Sequence, residues 1–239
     1  MSTCSRLYYR HALAVRIMHW VNAAALVVLL MSGLNIFTAH PALYWGRSSY
    51  TGHGPLLEFA AGAIPGWLML PSERWLSMAR HWHFFFAWVL VLNGLCYLVY
   101  SIATRHLARD LAPTGVELRS IGRSIVDHVR LRRPVGEAAR RYNVLQKLAY
   151  LGVIFVLVPL VVVMGLAMSP SLDAALAGWV DLVGGRQSAR TLHFVAAWLL
   201  VAFVLVHVFE TIVNGLWNHL RSMITGRFRI EAQADDETR

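Results

Sequence analysis

The last apolar segment of the chain, RTLHFVAAWLLVAFVLVHVFE, carries two histidines, His193 and His207. Their separation of 14 residues is almost four turns of an α-helix, so both side chains leave one face about 21 Å apart. Two zinc ligands on one helix lie about a turn apart, as in H-x-x-x-H, so these histidines cannot share one metal ion. The spacing instead indicates one ligand for each of two separate sites.

Each histidine then needs a partner on another helix at the same depth, and the sequence offers four apolar segments long enough to cross a bilayer. The chain is 57% hydrophobic and 15% charged, which is too apolar for an ordinary soluble domain. The predicted spans are Ile17–Phe37, Trp82–Ala103, Leu148–Met168 and Leu192–Val213. We therefore expect an all-α integral membrane protein, a four-helix transmembrane bundle that forms a single domain over residues 1–239. The first apolar run is too long for a cleavable signal peptide.

The basic residues behind the net charge of +9 are distributed unevenly. Of the 22 Lys and Arg residues, 17 fall in the N-terminal tail, in the loop 104–146 together with the adjoining Lys147, and in the tail 214–239. Because positive residues mark cytoplasmic loops, both termini are predicted to be cytoplasmic, and the long loop is predicted to face anionic lipid. No recognition motif accompanies the charge, so nucleic-acid binding is not expected.

The two outer loops contain apolar stretches that are too short to cross a membrane. LLEFAAGAIPGWLML in the first loop is interrupted by an acidic residue, glycines and a proline, and LDAALAGWVDLV in the second loop is amphipathic. We expect short interfacial helices in both places.

Depth in the bilayer pairs the histidines of different spans. His19 and His207 fall near the inner side, whereas His83 and His193 fall at the outer ends of their spans. Two imidazoles that face each other across a bundle suit axial ligation of haem iron, which then has no open position and serves electron transfer. We predict an inner haem held by His19 and His207 and an outer haem held by His83 and His193, with His81 as the alternative to His83. A solvated role is expected for the remaining histidines, His11, His40, His53, His106, His128 and His219.

Small and basic residues near these positions are candidate haem contacts. Gly33 lies 14 residues after the ligand of the first span, and Gly94 lies 11 residues after the ligand of the second, each on nearly the same helix face as that ligand. A glycine there would let the macrocycle approach the backbone, although small residues are also common in transmembrane packing. Arg80 and Arg190 are candidates for pairing haem propionates, or else they anchor the helix ends at the interface.

Several motifs resemble a known family. An early histidine in the first span, WHFFFAW at the start of the second, and an H-x13-H fourth span preceded by GGRQSARTLHF resemble the bacterial di-haem cytochromes b, from Val15 to about Arg227. That group includes cytochrome b561-like proteins, Ni/Fe-hydrogenase b-type subunits and formate dehydrogenase gamma subunits. HPALYWG and RSMITGRF are similar to thiosulfate-reductase-type cytochrome b subunits. The resemblance implies two haem b groups on the four histidines assigned above, in a multi-pass protein of the bacterial inner membrane.

The resemblance also implies a quinone and a redox partner. Formate dehydrogenase gamma subunits reduce quinone near the inner haem, with an Asn and a Gln at the start of the third span. YNVLQK here supplies Asn143, Gln146 and the following Lys147. The same polar residues are also suited to cap the third helix. Thiosulfate-reductase-type members resemble membrane anchors of a molybdopterin enzyme, so the expected outer-side partner is such an enzyme or a cytochrome.

The expected function is electron transfer across the bilayer between this partner and a quinone near the cytoplasmic face. One alternative is a stand-alone superoxide:quinone oxidoreductase of the cytochrome b561 type, with quinone reductase activity of its own. Another is a haem-free anchor or transporter. Glu210, one turn inward from His207, is either an interface residue or part of a proton path to the quinone.

Overall fold

The computed structural model describes residues 5–49, 54–60, 62–130, 143–176 and 178–231. Its helices are α1 (Leu13–Thr38), α2 (Leu76–Ala103), α3 (Gly115–Arg119), α4 (Ile121–Val129), α5 (Val144–Gly152), α6 (Val158–Ala167), α7 (Pro170–Ala175), α8 (Arg186–Val213) and α9 (Leu216–Thr225). Its strands are β1 (Ser5–Tyr9), β2 (Ala42–Leu43), β3 (Leu57–Glu58) and β4 (Arg227–Glu231). His53, residues 131–142 of the predicted inner loop and residues 232–239 of the predicted tail lie outside the described residues.

Four helical segments are long and apolar enough to cross a membrane, which confirms the predicted all-α membrane bundle. They are α1, α2, the segment Val144–Ala167 and α8. Each begins four to six residues before the predicted span, because hydropathy marks the hydrocarbon depth whereas the helix continues into the polar interface. The extra turns carry basic residues such as Arg16, Arg80 and Arg190, which long side chains can accommodate at a membrane surface.

The third spanning segment changes its helical winding part-way along. Residues Val153–Leu157 form a π-helical stretch between α5 and α6, and a proline lies in the first turn of α6. Proline has no backbone N–H to donate to the preceding turn, and a wider π-helical turn is one way in which a helix accommodates that loss.

Two short antiparallel strand pairs, which hydropathy does not predict, lie in the tails and in the loop between α1 and α2. β1 pairs with β4, with Ser5 opposite Glu231 and Tyr9 opposite Arg227, and β2 pairs with β3. Among the described residues between α1 and α2, the helical part is the 3-10 turn Gly66–Leu68. The loop between α6 and α8 contains α7 and the 3-10 turn Trp179–Val183.

The contacts within the chain define two compact units, each drawn from several spans. The first unit comprises Met1–His19, Cys96–Val153 and Phe203–Arg239, and the second comprises Trp20–Leu95 and Ile154–Ala202. The single domain predicted for residues 1–239 stays a prediction.

In the second unit, a hydrophobic cluster of Met164, Ala167, Val180 and Ala189 joins the end of α6 to the start of α8. Burying such side chains away from the polar interface stabilises the contact between these helices by about 25 cal/mol per Å² of apolar area.

In the first unit, the β1–β4 pair closes against the end of α9. Gly226 ends α9 with a φ of 82°, and a Cβ atom there would lie 2.6 Å from the Tyr9 ring. Its carbonyl accepts hydrogen bonds from the backbone N–H groups of Arg10 and His11. This position therefore requires glycine both for its conformation and for the close approach of the ring.

Candidate functional site

The second unit brings a histidine of α2 next to a histidine of α8. The ring centroids of His83 and His193 are 6.2 Å apart, and the ring planes are inclined by 65°. His81, the alternative ligand, is exposed, and its Nδ1 lies 2.8 Å from the backbone carbonyl of Ser77 on its own helix. The structure thus pairs His83, and not His81, with His193.

Hydrogen bonds fix the orientation of both rings. The Nδ1 atom of His193 donates to the Val161 carbonyl of α6 at 2.7 Å. The Nδ1 atom of His83 lies 3.1 Å from the hydroxyl of Ser32 on α1. A protonated Nδ1 leaves Nε2 as the nitrogen with a free lone pair, which is the arrangement a metal-binding histidine requires.

Each of these rings also lies against a glycine. A Cβ atom built on Gly33 would lie 3.3 Å from Cε1 of His83, and one built on Gly165 would lie 3.3 Å from Cε1 of His193. Both distances are shorter than ordinary carbon–carbon contacts of 3.5–4.0 Å. Gly33 therefore makes room for the imidazole ring itself, and Gly165 does the same on α6.

The first unit contains the second histidine pair. His19 of α1 and His207 of α8 have ring centroids 6.3 Å apart and ring planes inclined by 58°. Phe203, one turn before His207, stacks on its ring with centroids 6.0 Å apart and planes inclined by 13°. Tyr150 of α5 presents its ring edge-on to His207 at 6.2 Å. The rings of Tyr150, Phe203 and His207 thus form one cluster, because Tyr150 also lies 6.2 Å from Phe203.

Two imidazole rings that bind one metal ion must have their centroids at a defined distance. An imidazole nitrogen binds a metal ion at about 2 Å and the ring centre lies about 1 Å further away, so two rings on opposite sides of one ion have centroids about 6 Å apart. Separations of 6.2 and 6.3 Å match that value. Among the described residues, no three His, Cys, Asp or Glu side chains group to hold a metal ion. Each pair is a two-imidazole donor set, and this fits axial ligation of haem iron.

Comparison with known proteins identifies the family of this chain. The family described as prokaryotic cytochrome b561 matches residues 10–226. The chain belongs to this family. The cytochrome is 32% identical over 202 residues to the putative protein-methionine-sulfoxide reductase subunit YedZ1 of Azospira oryzae, which covers 84% of this chain and 89% of the relative.

Two further relatives are named probable Ni/Fe-hydrogenase B-type cytochrome subunits. The protein from Cupriavidus necator is 27% identical and that from Bradyrhizobium diazoefficiens 24% identical, each over 231 residues. The alignments cover 91% of this chain and 85% and 84% of the two relatives. The cytochrome is accordingly a multi-pass protein of the bacterial inner membrane, a haem b protein that takes part in electron transfer. The family predicted from the sequence motifs is confirmed.

The candidate propionate partners have other contacts in the structure. The guanidinium of Arg80 lies over the Phe84 ring, 5.6 Å from its centroid. Arg190 donates to the Ala42 carbonyl at 3.1 Å and to the His40 carbonyl, which ties the first turns of α8 to the outer loop. The predicted role of Arg80 and Arg190 with haem stays a prediction. Arg190 already anchors the loop between α1 and α2 through these hydrogen bonds.

The candidate quinone residues lie at the start of α5. Asn143 is the N-cap: its side chain accepts from the Leu145 N–H at 3.2 Å, and the Gln146 side chain accepts from the Asn143 N–H at 3.3 Å. Lys147 is buried, and its Nζ donates to both carboxylate oxygens of Glu117 at 2.9 and 3.0 Å. The capping alternative is thus realised for Asn143 and Gln146, and Lys147 is engaged in an ion pair.

His11 and His219, which were expected to be solvated, are half-buried in the first unit. Burial, assisted by the charge of Arg10, lowers the pKa of His11 to about 4 and that of His219 to about 4. Both side chains are therefore neutral at physiological pH. Glu210 accepts a hydrogen bond from the Asn214 side chain at 3.0 Å, and its predicted proton path stays a prediction.

Several residues near the histidine pairs are not predicted from the sequence. Ser32 and Gly165 are small residues in apolar segments, and nothing in hydropathy distinguishes them from packing residues. The side chains of Asn22 and Asn93 join α1 to α2 by a hydrogen bond of 2.7 Å. Amides at membrane depth are costly without a partner, so their presence in two spans is a usable signal.

Proposed function

We propose that this protein is a di-haem cytochrome b that moves electrons across the bilayer between an outer-side redox partner and a quinone near the cytoplasmic face. One haem b would be held by His19 and His207 and the other by His83 and His193. The proposal is carried by the two pairs of imidazole rings, which are separated by 6.3 and 6.2 Å. Haem iron held by such a pair of imidazoles would supply one-electron transfer and would leave no position for a substrate.

The protein's own residues then have defined tasks at these sites. Ser32 and the Val161 carbonyl bond the Nδ1 atoms of the outer histidines and keep the Nε2 atoms available. Phe203 and Tyr150 pack against the ring of the inner His207 and limit its rotation. The four histidines lie in apolar spans, and in the low dielectric of a membrane each polar contact is stronger than in water.

The start of α5 supports a quinone site on the inner side. Tyr150, which contacts His207, lies seven residues after the helix cap at Asn143, so this helix runs from its polar first turn to the inner histidine pair over about 10 Å. The capped turn offers amide groups of Asn143 and Gln146 that could bond quinone carbonyls after a change of partner. Lys147 would act indirectly, by holding the turn through Glu117.

The proposed outer-side partner rests on the names of the relatives and on the charge pattern. One relative is named a reductase subunit and two are named hydrogenase cytochrome subunits. Such a partner would be an oxidoreductase, of the molybdopterin type by the resemblance of the loops. The excess of Arg in the tails and in the loop 104–146 supports cytoplasmic termini, which leaves the loops that contain β2, β3 and α7 to face the partner.

The decisive experiment is the haem content of the purified protein and its histidine variants. We expect a b-type absorption spectrum with about two haems per chain, reduced to about one in His193→Ala and in His207→Ala, because each variant removes one axial ligand. His81→Ala is the matched control, since His81 is exposed and bonded to its own helix, and it should retain both haems. Unchanged haem content in both ligand variants would contradict the assignment. Fast reduction of quinone by superoxide with the isolated protein would contradict the subunit role.

A further inference from the structure

Ser32 of α1 is fully buried and lies between a backbone carbonyl and the ring of His83. Its hydroxyl oxygen is 2.6 Å from the Val28 carbonyl oxygen, and 3.1 Å from Nδ1 of His83. A hydroxyl has a single proton to donate and a carbonyl can only accept. The serine proton therefore goes to Val28, and the serine oxygen accepts the Nδ1 proton of His83. This sequence of bonds permits only the tautomer that leaves Nε2 unprotonated.

The neighbouring backbone is shaped for the same ring. Gly33 follows Ser32, and a Cβ atom at Gly33 would lie 3.3 Å from Cε1 of His83. The Leu29 carbonyl, four residues before this glycine, lies near His83. A helical side chain covers the turn that precedes it, so a glycine exposes the carbonyl four residues earlier.

The ring of His193 occupies a similar recess on α6. It bonds the Val161 carbonyl and lies against Gly165, which again follows that carbonyl by four residues. Each recess contains a glycine and a backbone carbonyl. His83 of α2 also receives a contact from a side-chain hydroxyl, that of Ser32. Ser32 is therefore one feature that distinguishes the surroundings of the two imidazoles in this unit.

We propose that Ser32 is a positioning residue for His83, which sets the tautomer and the basicity of that imidazole and thereby the reduction potential of the haem it ligates. The proposal rests on the proposed function, because it assumes that His83 is an axial ligand. A hydrogen bond accepted from Nδ1–H makes the imidazole a stronger donor to the metal ion, which favours the oxidised state. Loss of the serine hydroxyl should raise the midpoint potential of that haem.

The test is a redox titration of the full-length protein in detergent, in which the absorption spectrum of each haem is monitored. In Ser32→Ala, one midpoint potential should rise by up to about 59 mV, which is a tenfold change for a one-electron couple, while the other stays unchanged. Ser32→Thr keeps a hydroxyl that can still bond the preceding turn, and it should restore the original potential. Ser32→Cys keeps the volume with a weaker acceptor, so it should shift the same potential if Ser32→Ala does not fold.

Ser188→Ala is the matched control. Ser188 is also a fully buried serine of the second unit, but its hydroxyl bonds the backbone of Gly46 and Gly184 and no histidine. It should leave both midpoint potentials unchanged, although it removes an equally buried hydroxyl. Equal shifts in Ser32→Ala and Ser188→Ala, or no shift in either, would overturn the proposal. If His83→Ala retained both haems, the ligand assignment under the proposed function would fail instead, so the two failures are distinguishable.

Discussion

Replacement of Gly165 by alanine tests whether the recess on α6 is needed to hold a ligand histidine. The added Cβ atom would lie 3.3 Å from Cε1 and 3.4 Å from Nδ1 of His193. Favourable carbon–carbon contacts begin at about 3.5 Å, so the ring must move by a few tenths of an ångström. The same ring is tied to the Val161 carbonyl at 2.7 Å, and this bond resists the movement.

The magnitude follows from these two contacts. Overpacking of this kind costs about 1–3 kcal/mol, whereas alanine in place of glycine within a helix gains about 1 kcal/mol. Protein stability should therefore fall by about 2 kcal/mol at most. A weaker hydrogen bond to the Val161 carbonyl costs about 1 kcal/mol of the free energy that orients the His193 ring. This loss corresponds to about fivefold weaker binding of the haem at His193.

Haem titration of the apoprotein, the haem-to-protein ratio and thermal unfolding in detergent would measure these effects in Gly165→Ala. The control is Gly152→Ala, because a Cβ atom at Gly152 meets no atom within 4 Å among the described residues. That control should keep full haem binding and gain stability. If Gly165→Ala binds both haems with wild-type affinity and an unchanged spectrum, the ring of His193 does not depend on this recess and the reasoning is refuted.

Two contacts away from the histidine rings give further predictions. Asn93→Ala should lower stability by about 0.6 kcal/mol, and at most about 1.7 kcal/mol, because it removes the interhelical bond to Asn22; unfolding in detergent measures the loss, and wild-type stability would show that water replaces the amide. The backbone N–H of Thr114, followed by the Lys147 ammonium, lowers the pKa of Glu117 from its usual 4.5. The stabilisation by Glu117 is therefore complete above about pH 4.5 and is lost as the pH falls through the lowered pKa. The protection of the amides at the start of α5 against hydrogen exchange, relative to the intrinsic rate at each pH, should fall over that range in the wild type and be already low at pH 7 in Glu117→Gln, and equal protection in the two proteins would contradict the role of the ion pair.

The spans and the histidine positions could be predicted from the sequence because each depends on a strong local signal. A run of about 20 apolar residues has few alternatives to a membrane helix, and a helical repeat of 3.6 residues fixes which face each histidine occupies. Depth then pairs residues of different spans, and the structure brings together His19 with His207 and His83 with His193. The choice between His81 and His83 required coordinates, since two residues along one helix differ in direction by about 200°.

The surroundings of the histidines could not be predicted, because they depend on how helices approach one another. A serine in an apolar helix usually bonds its own preceding turn, and only the position of α2 shows that Ser32 also reaches His83. The contacts of Arg190 likewise depend on the position of the loop. Its guanidinium donates to the carbonyls of His40 and Ala42, about 150 positions earlier in the chain. The strand pairs of the tails and the first outer loop are too short for a periodic signal.

The first turns of α8 are hydrogen-bonded to residues 42–46, the segment that begins with β2. Thr191 donates to the Tyr44 carbonyl at 2.7 Å, Ser188 accepts from the Gly46 N–H at 2.8 Å, and Arg190 donates to the Ala42 carbonyl. The loop between α1 and α2 is therefore held to the helix that carries His193 by several hydrogen bonds. The loop contributes backbone groups to these bonds and α8 contributes side chains, so the loop sequence can vary, whereas replacing Ser188, Arg190 and Thr191 would disconnect the loop from the helix that carries His193.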